Sequence, residues 1–249
     1  MSDTLYVAAK APRPGFAKTR LSRAVGIDAA LALYRAFLSD LALRFTSAAL
    51  PLAWYVTPPD AWDDLLTLLP PTARHSPVLA QQDGDWTIRQ QHLFQLTADD
   101  GQGRTVLIGS DSPQITVATI QHAFLALDTH DVVLGPVYDG GYYLIGMRGW
   151  HDVLGGVTMS TGSVLHDILA RAKSLGVSVS LLPATYDIDE GDDLQHLYAD
   201  IATRDDLPAT RGALAAFNLF PTAPHVPLVP LHLQMTANVA EHGGSLEHA

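Results

Sequence analysis

Five short apolar runs recur along the chain: Leu5 to Ala9, Leu52 to Val56, Thr105 to Ile108, Val132 to Leu134 and Val177 to Leu182. Most are separated by stretches long enough to hold a helix. Between Ile27 and Phe45 the apolar positions Ile27, Leu31, Tyr34, Leu38, Leu41 and Phe45 step by three and four, which predicts a helix reaching Thr46. Shorter helices are expected at 61–69, 90–98 and 114–127. Two more follow the apolar sets Val164, Leu165, Ile168, Leu169, Ala172 and Leu194, Leu197, Tyr198, Ile201. Strands joined by crossover-length helices make a largely parallel sheet covered on both faces, so the expected fold is a three-layer α/β/α sandwich. One connection breaks the pattern. From Leu134 to Tyr142 the chain turns through Gly140 and Gly141 in too few residues for a crossover, which predicts a hairpin and hence a mixed sheet.

This organisation spans 1–220 as a single domain. Past Pro221 the chain is rich in Pro, His, Ala and Gly, and 221–249 reads as a loosely ordered tail with a vector-like end. Leu228, Leu231 and Leu233 offer an alternative there, a terminal arm packed on a second subunit, and oligomeric state stays open. Apolar residues make up 47% of the chain, enough for a sizeable core. There are 26 acids against 15 bases, a net charge of −11, which repels a nucleic-acid backbone. No apolar stretch is long enough to span a membrane, and the N-terminus lacks the pattern of a secretory leader, so a cytoplasmic protein is expected. With no cysteine, disulfides, thiolate metal sites and cysteine nucleophiles are excluded.

Bases are concentrated in one place. Lys10, Arg13, Lys18, Arg20 and Arg23 follow the first strand closely, and no acid lies between Asp3 and Asp28. Gly15 lets the backbone approach a ligand, and Pro12 and Pro14 stiffen the loop. Such a loop can wrap phosphate with charge-assisted hydrogen bonds, or it can be a solvated basic surface. Its glycine spacing is not that of a P-loop.

Gly109, Ser110, Asp111, Ser112 and Pro113 follow a buried strand, where open α/β sheets bind ligands. Asp111 suits Mg²⁺ or Mn²⁺, which take hard oxygen ligands, but Asp111 or Ser112 could equally cap the next helix. Asp139, Gly140 and Gly141 form a turn signature with an acid in it. Asp187 and Asp189 share one side of an extended segment, and either could complete a cation site with Asp111. Asp192 and Asp193 suit a helix start. Tyr142 and Tyr143 could stack on a base or sugar, or pack in the core.

Four segments together resemble the bacterial DUF2064 family, also described as the radical-SAM/selenodomain-associated transferase family 1. They are KAPRPGFAKTRL (Lys10 to Leu21), GSDSP (Gly109 to Pro113), LGPVYDGGYYLIG (Leu134 to Gly146) and DIDEGDDL (Asp187 to Leu194). The resemblance covers roughly residues 4 to 200. It implies a Rossmann-like, glycosyltransferase-A-like sheet with a nucleotide site over the strand ends, as in the guanylyltransferases of molybdenum-cofactor chemistry. It further implies that Lys10, Arg13, Gly15, Lys18, Arg20 and Ser110 meet nucleotide phosphate, and that Asp111 and Asp189 hold Mg²⁺ or Mn²⁺. Asp139, Gly140, Gly141, Tyr142 and Thr161 then face the acceptor, with Lys18, Asp111 and Asp139 closest to the chemistry. Two segments depart from the family pattern: Asp85, Trp86, Thr87, Ile88, Arg89, and Met159, Ser160, Thr161.

The expected activity is metal-dependent transfer of a nucleotidyl group from a nucleoside triphosphate to a small phosphorylated or hydroxyl acceptor. A glycosyltransferase using a nucleotide-sugar donor is the alternative, although Gly109 stands where an acid-x-acid pair would begin. A nucleotide-binding module without catalysis is the third. The expected partners are a nucleotide and a small acceptor, with neither nucleic acid nor membrane.

Overall fold

The computed structural model describes residues 3–220. Seven strands form one sheet: β1 (Asp3–Lys10), β2 (Leu52–Thr57), β3 (Val78–Ala80), β4 (Arg104–Gly109), β5 (Val132–Pro136), β6 (Tyr142–Arg148) and β7 (Val179–Leu181). Their order across the sheet is β3-β2-β1-β4-β6-β5-β7. All neighbours are parallel except β6, which runs antiparallel to both β4 and β5. The short link through Gly140 and Gly141 therefore does form a hairpin, and β6 slots between its partner and the central strand. The chain thus adopts a three-layer α/β/α fold on a mixed sheet, as expected.

Alternation along the strands sorts side chains between two cores. Leu5, Val7 and Ala9 face one side of β1 and Tyr6 the other. Helices α2 (Ile27–Ser47), α3 (Ala61–Leu66) and α5 (Val117–Ala126) cover the first side. Helices α4 (Trp86–Asp99) and α6 (Val164–Leu175) cover the second. A third core lies outside α2, built with α1 (Leu21–Val25), α7 (Leu194–Thr203) and α8 (Pro208–Ala216). Residues up to Leu219 form one compact unit, and the tail 221–249 lies outside the described residues. Among the described residues no helix is long and apolar enough to cross a membrane.

The stripe expected on α2 is right at Tyr34, Leu38, Leu41 and Phe45, which face the sheet, but Ile27 is exposed. A second buried face, Ala30, Leu33 and Phe37, packs in the third core, so α2 is covered on two sides. Helix α4 begins at Trp86 rather than at 90, because the Asp85 carboxylate accepts from the Ile88 amide at 2.9 Å and caps it. Helix α5 begins at Val117 rather than at 114, capped by Thr116.

Helix α8 is held by a residue far away in sequence. Asp40 is buried on α2, and its two carboxylate oxygens accept from the amides of Ala209 and Thr210 at 2.9 and 2.8 Å. A carboxylate at a helix N-terminus matches the orphan amides and the dipole. Asp40→Asn keeps the size, yet offers one oxygen where two are needed and turns an N–H group toward an amide. We expect it to cost about 2 kcal/mol, the scale of a buried hydrogen bond to charge. Chemical denaturation would read the loss, and an unchanged midpoint would show that α8 is held by packing alone.

Candidate functional site

The C-terminal ends of β1 and β4, with Gln81 just after β3, open on a cavity of about 670 Å³, which runs on to the β5–β6 turn and the segment after β7. A parallel sheet leaves this edge free because successive crossovers diverge there. The cavity is large enough for a nucleotide-sized ligand.

Its floor is pinned by Tyr34, buried on α2. The Lys10 amide donates to the Tyr34 hydroxyl at 2.9 Å, and that hydroxyl sits 3.1 Å from the Ser110 oxygen. The ends of β1 and β4 are thereby tied together through one phenol. Ser110 lines the cavity, but its hydroxyl is already engaged.

Asp111 follows directly, and it does not cap α5. Thr116 does, accepting from the Thr119 amide at 3.1 Å. Instead the Asp111 carboxylate pairs with the Lys18 ammonium at 2.8 Å. Lys18 also reaches Asp189 at 3.4 Å and donates to the Ile188 carbonyl. Its side chain is only 2% exposed, whereas Asp111 and Asp189 are 46% and 31% exposed. Arg20 pairs with Asp189 at 2.7 Å. The Ile188 amide donates to the Asp111 carbonyl at 3.0 Å, which brings the segment after β7 alongside the loop after β4. Two motifs distant in the chain thus share one ammonium.

Asp187 and Asp189 both line the cavity, with Ile188 buried between them, as an extended segment requires. Asp193 stands at the head of α7, but its carboxylate accepts from the amides of Asp189 and Glu190 at 2.8 and 2.6 Å. It holds the acidic segment in shape and makes no side-chain cap for its own helix.

Among the described residues the Asp187 carboxylate has no hydrogen-bond or ion-pair partner. Burial, and then the neighbouring charges of Asp189, Asp139 and Asp111, push its carboxyl up to about 6, with Lys18 opposing. A carboxyl raised above its unfolded value of 3.8 favours the fold when protonated. That contribution is complete below 3.8 and is lost as pH rises through 6. Asp187→Asn removes the charge, so in chelator we expect it to be more stable than the parent by about 1–2 kcal/mol at pH 7.5, a full shift discounted for partial exposure. At pH 3.5 the two should melt together. A variant no more stable than the parent at pH 7.5 would show that Asp187 carries no such strain.

On the far side, Asp139 lies in the β5–β6 turn and its Oδ1 accepts from the Gly141 amide at 2.9 Å. The turn signature is therefore real, and the acid still lines the cavity. Gly140 has φ +92°, and the position of a Cβ there lies 2.1 Å from the Gly162 carbonyl oxygen. Gly141, Tyr142, Thr161 and Gly162 line the same end. The Tyr142 hydroxyl donates to the Gln90 amide oxygen at 2.8 Å, so its polar end is occupied by the protein.

Two expected phosphate contacts are not brought to the cavity. Arg13 is engaged by Asp60 and Asp64 of the chain before and within α3, at 2.9 and 2.6 Å, and Gly15 sits with it outside the lining. The acids Asp60 and Asp64 lie about fifty positions away, so no local spacing revealed this competition. Lys10, Lys18 and Arg20 do line the cavity. Gln81 and Gln90, which no sequence motif marks, also line the cavity, as does Arg89 of the segment that departs from the family pattern. Gln81 is buried and accepts from Arg89 at 3.2 Å, while the Arg89 Nε–H donates to the Gly84 carbonyl at 2.9 Å. Glutamines inside a helical or turn pattern carry no signal of their own. Trp86 and Met159, at the two departures from the family pattern, line the cavity as well.

The sequence pattern of a family described as "Uncharacterized protein conserved in bacteria (DUF2064)" matches residues 42–161. No curated protein matches. Among solved structures, a candidate nucleotide-diphospho-sugar transferase from Desulfovibrio desulfuricans G20 is 31% identical, with a TM-score of 0.78 over 87% of this chain and 97% of that one. A cytidylyltransferase from Leptospira borgpetersenii serovar Hardjo-bovis is 12% identical, with a TM-score of 0.53 over 90% of this chain and all of that one. The 4-diphosphocytidyl-2C-methyl-D-erythritol synthase of Anaerococcus prevotii is 8% identical, with a TM-score of 0.50 over 81% of this chain and 98% of that one. The last two are similar in fold alone.

Proposed function

The chain belongs to the DUF2064 family, and from that footing we propose that it is a metal-dependent nucleotidyltransferase acting on a nucleoside triphosphate and a small acceptor. One observation carries this reading above the others: a buried lysine of the basic loop meets, over the strand ends, the carboxylates of two separate motifs. An anion site and a cation site then lie side by side, as transfer at phosphorus requires.

The donor set fits Mg²⁺ or Mn²⁺. Asp111 and Asp189 offer hard oxygens, and one small cation, the Lys18 ammonium, already lies within reach of both. Among the described residues no group of three or more acidic or histidine side chains is arranged to hold a metal. Two carboxylates suit an ion that takes the rest of its shell from water and phosphate. Such an ion supplies charge neutralisation and polarisation at phosphorus.

The chain's own residues do the remainder. Lys10, Lys18 and Arg20 bind and orient the phosphates from the β1 side, with Ser110 at the floor. Asp139, Gly141, Tyr142 and Thr161 bound the acceptor end, while Gly140 lies outside the lining and lets the turn approach Gly162. An acceptor oxygen attacks the α-phosphorus, its proton passes to Asp139, and the bond to the β-phosphate oxygen breaks to release pyrophosphate. The protein acts on small molecules, without nucleic acid or membrane, in the cytoplasm.

A second reading is favoured by one finding, the 31% identical relative described as a candidate nucleotide-diphospho-sugar transferase. In it the same loop and carboxylates would grip a diphosphate, and a sugar would be transferred. Incubation with the four nucleoside triphosphates, and separately with nucleotide sugars, followed by mass detection, distinguishes the two. Pyrophosphate release supports the first reading. Sugar transfer without it supports the second. Saturable binding with neither product leaves a binding module.

A further inference from the structure

Lys18 holds the position that a metal would need. Its ammonium pairs with Asp111 and Asp189 and donates to the Ile188 carbonyl, so it has three oxygen partners before any ligand arrives. The backbone at Lys18 is left-handed, with φ 55°, which a lysine adopts at a cost of about 1 kcal/mol. The three ammonium contacts offset that cost. The carboxylates, by contrast, are anchored from behind: the Asp111 carbonyl by the Ile188 amide, and the Asp189 backbone by Asp193.

From this geometry we propose that Lys18 is the resident cation of the Asp111–Asp189 pair, and that it exchanges with the divalent ion when nucleotide binds. The proposal rests on the nucleotide-binding reading only for its second half. An ammonium and a divalent ion cannot both sit on the same two carboxylates, because like charges a few ångströms apart repel strongly at a half-buried site. Without nucleotide the ion has two carboxylates and water, and competes with an ammonium tethered in place at high effective concentration. A triphosphate changes both sides of that balance. Its oxygens offer the ion further ligands and offer Lys18 a new anion, so the ammonium leaves Asp111 as the metal arrives. The metal therefore enters with the nucleotide and binds poorly before it.

The test is Mn²⁺ titration of the full chain without nucleotide, read by electron paramagnetic resonance. Lys18→Met and Lys18→Gly are compared with the parent, and glycine suits the left-handed backbone if methionine disturbs the fold. Both should bind Mn²⁺ about tenfold more tightly than the parent, since they lose a competing cation. Asp111→Asn should bind it more weakly than the parent. Adding an equimolar panel of the four nucleoside triphosphates should tighten Mn²⁺ binding much more in the parent than in Lys18→Gly. Equal Mn²⁺ affinity in parent and Lys18 variants overturns the proposal, as does a parent that binds the ion tightly alone. Nucleotide affinity is measured separately by calorimetry. If no triphosphate binds, the nucleotidyltransferase reading fails, while the nucleotide-free titration still decides whether Lys18 and the ion compete.

Discussion

Asp111→Asn should fold like the parent and lose nearly all metal-dependent turnover. The stability expectation comes from the cap. Because Thr116 caps α5 and the Asp111 side chain takes no part, the usual cost of losing an N-cap does not apply. Lys18 keeps Asp189 and the Ile188 carbonyl, and Asp111 is nearly half exposed. The change should therefore stay within about 1 kcal/mol. Function should respond quite differently. If Asp111 is one of two carboxylates of the proposed hard-cation site, its removal should cost about 10³-fold in turnover, the scale of losing one preorganised electrostatic group. Nucleotide affinity measured with Mg²⁺ should fall to the value measured with chelator. A variant that retains the parent's Mg²⁺ dependence would remove Asp111 from the mechanism.

Gly140→Ala should be the most damaging single-carbon change in the site. The new Cβ would lie 2.1 Å from the Gly162 carbonyl oxygen and 2.8 Å from its carbon, both backbone atoms that no rotamer change can move. The backbone there also has φ +92°, which a residue with a Cβ rarely adopts. The Gly140 carbonyl in addition accepts from the Leu165 amide at 3.0 Å, at the head of α6. Alanine must therefore separate the β5–β6 turn from the segment before α6, and both border the proposed acceptor end of the cavity. We expect a loss of about 3 kcal/mol or more, combining strain with backbone collision. Turnover should collapse while nucleotide affinity holds, because Lys10, Lys18 and Arg20 come from a different loop. A melting temperature within about 2 °C of the parent would mean that the turn shifts freely. Loss of nucleotide affinity as large as the loss of turnover would mean that the two ends of the cavity are not separable.

Much of this molecule can be read from local pattern. Apolar runs at crossover spacing determine an α/β sheet, and the short link through Gly140 and Gly141 determines that one strand is antiparallel. Both follow from chain reach and backbone geometry, which need no knowledge of distant residues. The same holds for the location of Asp111, since a buried strand that ends in a Gly-Ser-Asp turn delivers its acid to the sheet's open edge. The alternation of Asp187, Ile188 and Asp189 likewise puts two acids on one side.

What local pattern leaves open is the choice of partner. The basic loop looks uniform, yet Arg13 is drawn off by Asp60 and Asp64 while Lys18 is buried against Asp111 and Asp189. Local pattern equally allows Asp111 to cap α5, a role that Thr116 takes instead. Helix α8 and the second face of α2 exist because Asp40 and Phe37 meet chain segments far along the sequence. The sequence by itself determined the sheet, its hairpin and the edge where the cavity opens, because those depend on periodicity and turn length. Only the tertiary structure decided which charges pair and which remain available to a ligand, because long side chains reach several acids and packing selects among them.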